Sequence, residues 1–395
     1  MDVQKMKTLI KQIRGVSYKP DDLHDTLGEN SIILLRANNI ADGQINFDDV
    51  VYVDRRKVSK EQILRRGDIL ICASSGSKNL VGKAASVDFE QEATFGAFCK
   101  VVRPNCLDDA EYIAMYFQSP IYRREISAVA IGININNIRN EHIDSLSVNW
   151  PNSANRHQAV DVLVKIDSII RHREAELRKL DDLIKARFVE LFGNPVTNAK
   201  NWNTDSCKNL MSKIGSGATP KGGRESYCDE GISLIRSMNV YNNRFEYKDL
   251  AHITEEQAEQ LDSVTIEKSD VLLNITGASV ARCCVVPDNL LPARVNQHVS
   301  IIRCKENLLP EFVCSMFTED NYQRLLWNIA TAGGATREAI TKQQIEDLVL
   351  IVPPINLQKQ FVAFIKQVDK SKVAVQKALD EAQVLFDSLM QQYFG

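Results

Sequence analysis

A segment rich in glycine and lysine is the first place where this sequence could bind a phosphate. Gly76 and Gly82 precede Lys83 and Ala84 in an order that resembles a phosphate-binding loop. In that loop four residues separate the glycines, and the Ser or Thr after the lysine holds Mg²⁺ through its hydroxyl. Here five residues separate the glycines, and Ala84 has no hydroxyl. We therefore do not predict a nucleotide-hydrolysing site.

Other residue types that catalyse reactions or bind metals occur without the spacing they need. The segment from Glu246 to Lys248 has the Glu-x-Lys spacing of many nucleases, but no Pro-Asp pair precedes it closely. Pro353-Pro354 is not part of an Asn/Asp-Pro-Pro-Tyr/Phe tetrapeptide, the signature of adenine methylation. The six histidines form no His-x-x-x-His pair and the nine cysteines no Cys-x-x-Cys pair, which leaves little support for a metal site. The chain is interpreted as non-catalytic, without a cofactor or metal of its own.

Length and composition restrict the number of domains and the compartment. At 395 residues the chain exceeds one ordinary core, so two or more domains are expected. No stretch approaches the ~20 uninterrupted apolar residues that cross a bilayer, and the lysine-rich N-terminus does not resemble a secretory signal. The number of cysteines is odd and their spacing shows no pairs, which argues against a disulfide framework. We expect a cytoplasmic protein that binds no membrane.

The sequence is a tandem repeat, which must be recognised before any fold is assigned. The copies match collinearly, at offsets of 200 to 202 residues, over nearly the whole chain. Matching pairs include SIILLRANNI (31–40) with GISLIRSMNV (231–240), RRGDILICASSG (65–76) with EKSDVLLNITG (267–277), and ATFGAFCKVVRP (93–104) with ARVNQHVSIIRC (293–304). We therefore expect two units of one architecture.

Each unit follows the same order of elements. Apolar runs predict strands, and a helix, a polar loop, a short strand ending in proline and a long polar helix follow. The predicted elements are strands at Ile32–Leu35, Ile69–Cys72, Ile232–Ile235 and Val271–Leu273, helices near 108–130 and 310–330, loops at 132–137 and 333–338, and prolines at Pro151 and Pro353.

Both long helices carry an apolar stripe in steps of four and three residues, as in a coiled coil. The stripe positions are Ala159, Leu163, Ile166, Ile170, Arg173, Leu177, Leu180, Ile184, Arg187 and Leu191, then Phe361, Ile365, Val368, Lys372, Val375, Leu379, Ala382, Phe386, Leu389 and Tyr393. Equal lengths and an equal frame favour pairing about a pseudo-two-fold axis; the alternatives are that each helix packs on its own domain or pairs between chains. We predict an α+β fold, a tandem pseudo-two-fold repeat of two β-rich mixed α/β domains joined by two long antiparallel coiled-coil helices.

Two similar but non-identical domains on a rigid rod would suit the reading of two different short DNA words at a fixed separation. DNA-binding dimers do this with identical heads on half-sites about one helical turn apart. The net charge of −3 gives no bulk support, so DNA contact must depend on local patches. An adaptor whose domains bind proteins rather than DNA is the rival interpretation.

The order of these motifs resembles the specificity subunits of type I restriction–modification systems, and the resemblance covers essentially the whole chain. Gly217-Ala218-Thr219-Pro220-Lys221 resembles the Gly-x-Thr-Pro turn of that family, and residues 231–236 resemble its following strand. Pro353-Pro354 with Gln358 and Gln360 resembles the start of its conserved helix, and Leu-Phe-Gly-Asn-Pro at 191–195 resembles that helix's end. The first unit departs from the pattern because its start lacks the Gly-x-Thr-Pro turn.

The resemblance implies a division of labour along the chain. Residues 1–151 and 196–353 would be two target recognition domains, each reading one half of a split, asymmetric site in double-stranded DNA. Residues 152–195 and 354–395 would be the conserved coiled-coil helices that bind two methyltransferase subunits, which carry S-adenosylmethionine. Motor–nuclease subunits would complete a restriction complex, and a methylation-only system is the alternative.

Base readout needs side chains with donors and acceptors on loops, and phosphate contacts need Lys, Arg or small polar donors. These criteria select one set of candidate DNA-contacting residues in each unit. They are Arg36, Ser74, Ser75, Lys78, Asn79, Lys83, Asn134, Asn136, Asn137 and Arg139 in the first, and Thr219, Lys221, Arg236, Asn274, Thr276, Arg282, Thr336 and Arg337 in the second.

Overall fold

The computed structural model of the chain describes residues 2–41, 43–77, 79–129, 136–332 and 338–395. The chain divides into two compact units. Unit 1 comprises Met1–Glu174 and Gln376–Gly395, and unit 2 comprises Ala175–Val375. No helix among the described residues is both long enough and apolar enough to cross a membrane.

Unit 1 contains two four-stranded sheets. One has the order β10-β8-β12-β2 and is antiparallel throughout; the other has the order β11-β4-β7-β3, in which β11 and β4 are parallel. The elements up to the first long helix are β1 Val3–Lys5, β2 Ile10–Arg14, β3 Leu23–His24, β4 Ser31–Leu35, β5 Ile40–Ala41, β6 Gln44–Ile45, β7 Val51–Asp54, β8 Ile69–Cys72, β9 Ser74–Ser75, β10 Ala84–Ser86, β11 Ala93–Phe95, β12 Cys99–Pro104, α1 Ala110–Gln118, α2 Pro120–Val129, β13 Asn136–Asn137, α3 Asn140–Asp144, β14 Ser147–Asn149 and α4 Ser153–Phe192.

Unit 2 repeats this arrangement, except that its second sheet has three strands among the described residues and none in the place of β3. Its sheets have the orders β16-β24-β21-β22 and β20-β17-β23, and β17 and β23 are parallel, as their counterparts β4 and β11 are. The elements are β15 Asn203–Ser206, α5 Cys207–Leu210, β16 Met211–Ser216, β17 Ile232–Ile235, β18 Val240–Tyr241, β19 Arg244–Phe245, β20 Ala251–Ile253, α6 Glu255–Gln260, β21 Val271–Asn274, β22 Cys283–Val285, β23 Ala293–Val295, β24 Val299–Cys304, α7 Pro310–Phe317, α8 Asp320–Thr331, α9 Lys342–Glu346, β25 Val349–Val352 and α10 Ile355–Phe394. Shared strand order confirms that the two copies of the sequence fold alike.

The four predicted strands are confirmed, because each apolar run forms a buried central strand, β4, β8, β17 or β21. The predicted helices near 108–130 and 310–330 are wrong as single elements, since each is two helices. Pro120 lacks the amide hydrogen that would continue α1, and the Ser119 hydroxyl accepts from the amide of Tyr122 to start α2. In unit 2 no proline marks the break; the Glu319 carboxylate accepts from the amides of Asn321 and Tyr322 and caps α8.

In both units a glycine allows two backbone segments to approach each other closely. In unit 1 this glycine was not recognised from the sequence. A Cβ on Gly217 would lie 1.8 Å from the carbonyl oxygen of Val295, so only glycine fits there. In unit 1 a Cβ on Gly15 would lie 2.1 Å from the carbonyl oxygen of Gly96. Gly15 therefore takes the place of the glycine in the Gly-x-Thr-Pro turn, although the Thr-Pro that follows it in the family pattern is absent.

An Arg–Asp pair recurs at equivalent positions in the two units. Asp68 is 1% exposed, and its oxygens accept from Nε and Nη2 of Arg103, both at 2.7 Å. Asp270 is fully buried and accepts from Nε of Arg303 at 2.7 Å and from its Nη2 at 2.9 Å. Each pair joins a strand start to the end of the neighbouring strand, so it holds the central sheet together.

The two long helices, α4 and α10, lie within three residues of the predicted bounds. All twenty stripe positions are buried or half-buried and none is exposed, which confirms the predicted apolar stripe. The core of unit 1 includes Leu163 from the first half of α4 and Phe394 from the end of α10. The core of unit 2 includes Phe192 from the end of α4 and Phe361 from the start of α10.

The aromatic residue that ends each long helix fills the core of the unit formed mostly by the other sequence repeat. The ring of Phe394 lies 5.0 Å from that of Tyr112 and 6.0 Å from that of Tyr116. The ring of Phe192 lies 4.8 Å from that of Phe312, the counterpart of Tyr112. The last residues of each sequence repeat thus pack in the core of the unit formed mostly by the other repeat.

Candidate nucleic-acid interface

Unit 1 has a cleft at the ends of its central strands, with a volume of about 680 Å³. Three segments form most of it: the turn after β4, which includes Asn38, the residues from Ser74 to Gly76 after β8, and the turn before β12, which includes Phe98. Tyr18 completes the lining. The cleft therefore lies where several loops of the repeat converge on one edge of the sheets.

Unit 2 has a cleft of about 720 Å³ at the equivalent place. Met238, Thr276 and His298 line it at the positions that Asn38, Ser74 and Phe98 take in unit 1. Arg282 and Tyr241 also line it, and the guanidinium of Arg282 lies 4.5 Å from the centre of the Tyr241 ring. The two clefts share a place in the fold and differ in chemistry.

Two segments predicted separately to contact DNA are brought together in each unit. In unit 1, β9 and β13 pair antiparallel, so that Asn137 lies opposite Ser74. In unit 2, Thr276 lies opposite Ala339 in an isolated bridge, and the amide of Gly277 donates to the carbonyl of Glu338 at 2.9 Å. The repeat therefore builds one continuous loop surface from two distant segments.

A buried lysine supports this loop surface in unit 1. The ammonium of Lys100 donates to Asn140 Oδ1 at 2.6 Å, to Gln12 Oε1 at 3.0 Å and to the carbonyl of Ile138 at 3.4 Å. Burial lowers the pKa of Lys100 to about 8 from its ordinary value of 10.5. Its counterpart in unit 2 is Ser300.

We expect Lys100 to make the stability of unit 1 depend on pH. Between pH 8 and 10.5 the unfolded chain keeps a proton that the folded unit has released, so the free energy of unfolding rises with pH in this window and is flat below it. Between pH 7.5 and 9.5 the free energy of unfolding of unit 1 should rise by on the order of 1 kcal/mol more in the wild type than in Lys100→Met. Hydrogen exchange at the two pH values measures this difference. Lys7→Met, which replaces an exposed lysine, should show no such gain; an equal gain in both would contradict the assignment.

Arg36 and Arg236 hold the turns that border the clefts. Nη2 of Arg36 lies 2.9 Å from the carboxylate of Asp49, and Nη2 of Arg236 donates to the carbonyl of Asp249. The amide of each arginine also donates to a buried asparagine of the same turn, Asn39 or Asn239. Both arginines therefore have partners within their own unit, and a DNA contact from either stays a prediction.

Asn274 requires a correction. It is fully buried at the end of β21, and its amide donates to the carbonyl of Ser237 at 2.8 Å and to that of Val240 at 3.4 Å. A side chain so enclosed does not face a DNA groove. Asn274 instead joins two of the turns that form the cleft of unit 2.

The remaining candidates divide between the clefts and their surroundings, and their DNA contacts stay predictions. Ser74, Ser75, Thr276 and Arg282 line the clefts. Asn137 lies on β13, and Asn79, Arg139, Thr219 and Lys221 lie outside the strands and helices, with Arg139 paired to Glu141 and Thr219 to Gln297. Lys83 lines a separate recess beside Gln118. Lys78, Asn134, Thr336 and Arg337 lie outside the described residues, as does the side chain of Asn136.

Side chains that line the clefts but were not predicted from the sequence include Tyr18, Asn38, Phe98, Met238, Tyr241 and His298. The predicted contacts were hydrogen-bonding groups on glycine- and asparagine-rich loops, and these residues lie on other segments. The alignment of ATFGAFCKVVRP with ARVNQHVSIIRC already places Phe98 opposite His298. A difference between aligned residues at a strand end was the available signal.

The cysteines and the acidic residues that the structure describes show no arrangement suited to a metal. Within the described ranges, no group of three or more His, Cys, Asp or Glu side chains is placed to hold a metal ion. All nine cysteines are free thiols. Burial raises the pKa of Cys99 and of Cys207 to about 12, so these thiols pack as apolar groups.

Part of the chain matches a known family model, and nearly the whole chain is similar to proteins of that kind. Residues 200–382 match the type I restriction modification DNA specificity domain. The chain is 24% identical to the EcoKI specificity subunit of Escherichia coli K12, with 98% of this chain and 86% of that protein covered. It is 25% identical to the StySPI specificity subunit of Salmonella potsdam, with the same coverage.

Two solved structures share the fold. An S subunit of a type I restriction–modification system from M. genitalium matches with a TM-score of 0.54 and 13% identity, over 100% of this chain and 96% of that one. A chain from a study of complex assembly and conformational transition in the type I system matches with a TM-score of 0.56 and 14% identity, over 99% and 97%. Residues 200–382 thus match the type I restriction modification DNA specificity domain, and the chain is similar over 98% of its length to type I specificity subunits.

Proposed function

We propose that the chain reads a split, asymmetric DNA sequence, one half with each unit, for a type I restriction–modification complex. One observation carries this proposal: equivalent clefts occur at the same place in two units of one chain, and different side chains line them. The equivalent position of the two clefts suits binding of the same kind of ligand. Their different lining residues suit recognition of different sequences within that ligand. Double-stranded DNA has the required regular form, because its grooves present base edges at fixed intervals.

Exchange of one unit's β-rich domain should change one half of the recognised site. The variant replaces residues 196–353 with the equivalent segment of another specificity subunit that keeps an aromatic residue at the position of Phe312, so that Phe192 and Phe361 still pack. Selection of random duplexes by the complex reconstituted with its methyltransferase subunits measures the result. We expect the old half-site to lose at least about 10³-fold in preference, since each mismatched base pair costs several-fold and several are changed.

The control is the reciprocal exchange of residues 1–151, which should alter only the other half-site. If either exchange changed both half-sites together, independent reading by the two units would be wrong.

The proposal extends to the long helices, which would pair antiparallel along their full stripes and bind two methyltransferase subunits. Leu183 on α4 in unit 2 and Leu385 on α10 in unit 1 occupy equivalent positions and are 48% and 50% exposed. We infer one docking position per unit from this equivalence, since an exposed leucine outside the stripe recurs at the same place in both units. Two equivalent positions would bind two copies of the same partner.

Charge at these leucines should reduce the number of bound methyltransferase subunits. Leu385→Glu should leave one bound per chain and the double variant Leu183→Glu/Leu385→Glu none, with at least about tenfold weaker binding at each altered position. Native mass spectrometry of the mixture counts the subunits. Val373→Glu, at an exposed α10 valine (71%) outside this pair, is the control; a loss as large there would contradict specific docking at Leu183 and Leu385.

The catalytic steps would then belong to the partners. Methyltransferase subunits would bind S-adenosylmethionine and methylate adenine, and motor–nuclease subunits would be added where the system restricts as well as methylates. The near-neutral charge of this chain leaves much of the phosphate contact to those partners. A cytoplasmic location stays a prediction.

A further inference from the structure

One backbone position in the clefts presents chemically different side chains in the two units. In unit 1 it is Phe98, whose carbonyl accepts from the amides of Ala73 at 2.9 Å and Ser74 at 3.0 Å. In unit 2 it is His298, whose carbonyl accepts from the amide of Ile275, the counterpart of Ala73, at 3.0 Å. Because the backbone is held in the same way, the residue type at this position can change without moving the turn.

Phe98 exposes an aromatic ring where a buried one would contribute more to stability. It is 67% exposed, although it lines the cleft. Full burial of such a side chain is worth about 1.5–3 kcal/mol, so its position gives little to the folding of unit 1. A large apolar group on a DNA-facing loop can contact the methyl group of thymine, which only A·T pairs present in the major groove.

His298 offers hydrogen bonds at the same position. Its Nδ1 lies 2.6 Å from the hydroxyl of Thr276, which fixes the ring and leaves Nε2 as the nitrogen available to a base edge. Arg282, stacked on Tyr241 in the same cleft, adds a cation that does not depend on His298. The lining of unit 2 therefore suits hydrogen bonds to a base edge.

At a second pair of equivalent positions the polar side chain is in unit 1 and the apolar one is in unit 2. Asn38 lines the cleft of unit 1 and Met238, 40% exposed, lines that of unit 2. At these two positions each cleft thus has one apolar and one polar side chain, and the two units carry them at opposite positions. If the clefts read DNA, this reversal makes the two words different while the fold stays the same.

We propose that Phe98 and His298 are specificity-determining residues, Phe98 contacting a thymine methyl group in one half-site and His298 hydrogen-bonding a base edge in the other. This inference rests on the proposed function. It assigns one base-pair position in each half-site to one side chain. It also assigns the remaining contacts of the cleft turns to phosphate or to other bases.

The test selects random duplexes with the complex reconstituted with its methyltransferase subunits and sequences the bound DNA. Phe98→Ala should lose the preference for a T·A pair at one position of one half-site, by about 5- to 150-fold, the usual effect of one mismatched pair. Phe98→His should replace that preference with another at the same position. His298→Phe should change one position of the other half-site only. Leu107→Ala, which removes an exposed apolar side chain (70%) of unit 1 outside the cleft, should change none.

The outcomes separate this inference from the proposed function. Wild-type complex that selects a bipartite site, with variants that select the same site, overturns the inference and leaves the proposed function standing. A uniform loss of affinity at all positions overturns it as well, because Phe98 would then only support the turn. Wild-type complex that selects no sequence overturns both. Changes confined to one position in the expected half-site support it.

Discussion

Replacement of Phe394 by alanine is expected to lower the free energy of unfolding of unit 1 by about 3–5 kcal/mol, the usual cost of deleting a buried phenylalanine ring. Phe394 is 3% exposed and packs on Tyr112 and Tyr116, residues that precede it in the chain by almost three hundred positions. The loss arises from the missing contacts and from the cavity left among rigid aromatic neighbours. The loss of stability should therefore appear in unit 1, although Phe394 lies at the end of the second sequence repeat.

Hydrogen exchange followed on peptides of each unit measures this effect. Phe394→Ala should weaken protection in β8 and β12 of unit 1 more than in β21 and β24 of unit 2. Phe192→Ala should do the reverse, because Phe192 packs on Phe312 in unit 2. Leu385→Ala, which alters an exposed residue of the same helix, should cost less than about 1 kcal/mol. Equal loss in both units from Phe394→Ala would contradict the assignment.

Replacement of Asp270 by asparagine is expected to destabilise unit 2 by about 3–5 kcal/mol, because the guanidinium of Arg303 then lies half-enclosed without its main counter-charge. Asp270 is fully buried, and both of its oxygens accept from that guanidinium. Asparagine keeps the size and one acceptor oxygen, which can still accept from the amide of Glu267. The loss therefore reports the charge rather than the shape.

A double variant distinguishes the effect of the unpaired charge from the effect of altered packing. Asp270→Leu/Arg303→Met replaces both charges with apolar side chains and should recover most of the stability, since a buried pair is often no better than well-packed apolar residues. Urea unfolding followed by hydrogen exchange in unit 2 gives the free energies. Asp68→Asn should have a similar effect confined to unit 1. If the double variant were as unstable as Asp270→Asn alone, the cost would lie in packing and the charge argument would fail.

The repeat made most of the fold predictable. Apolar runs such as Ile69–Cys72 form buried strands because central strands need side chains that fit on both faces, and the equal frames of the long helices predict their shared stripe. The break at Pro120 could have been inferred from the missing amide hydrogen. The break before Glu319 could not, because it depends on a side-chain cap that competes with helix continuation.

The clefts were less predictable than the loops that border them. The Gly/Asn/Ser criterion identified Ser74 and Thr276, which line the clefts, but it also selected Asn274, which is buried by hydrogen bonds to turns distant in sequence. Residue type alone does not distinguish an asparagine that faces solvent from one that joins two loops. Phe98 was missed for the converse reason, since an apolar residue near a strand end is expected to be buried.

The exchange of helix ends between the units also bears on the order in which the protein can fold during synthesis. Unit 2 is one continuous segment, Ala175–Val375, and its core can close once Phe361 has been made. Unit 1 must wait for Met390 and Phe394, which come after all of unit 2. At 5–20 residues per second, the intervening segment takes about 10–40 s to synthesise. The first domain to leave the ribosome is thus the last that can complete its core, and until then it exposes an apolar surface around Tyr112 and Leu163.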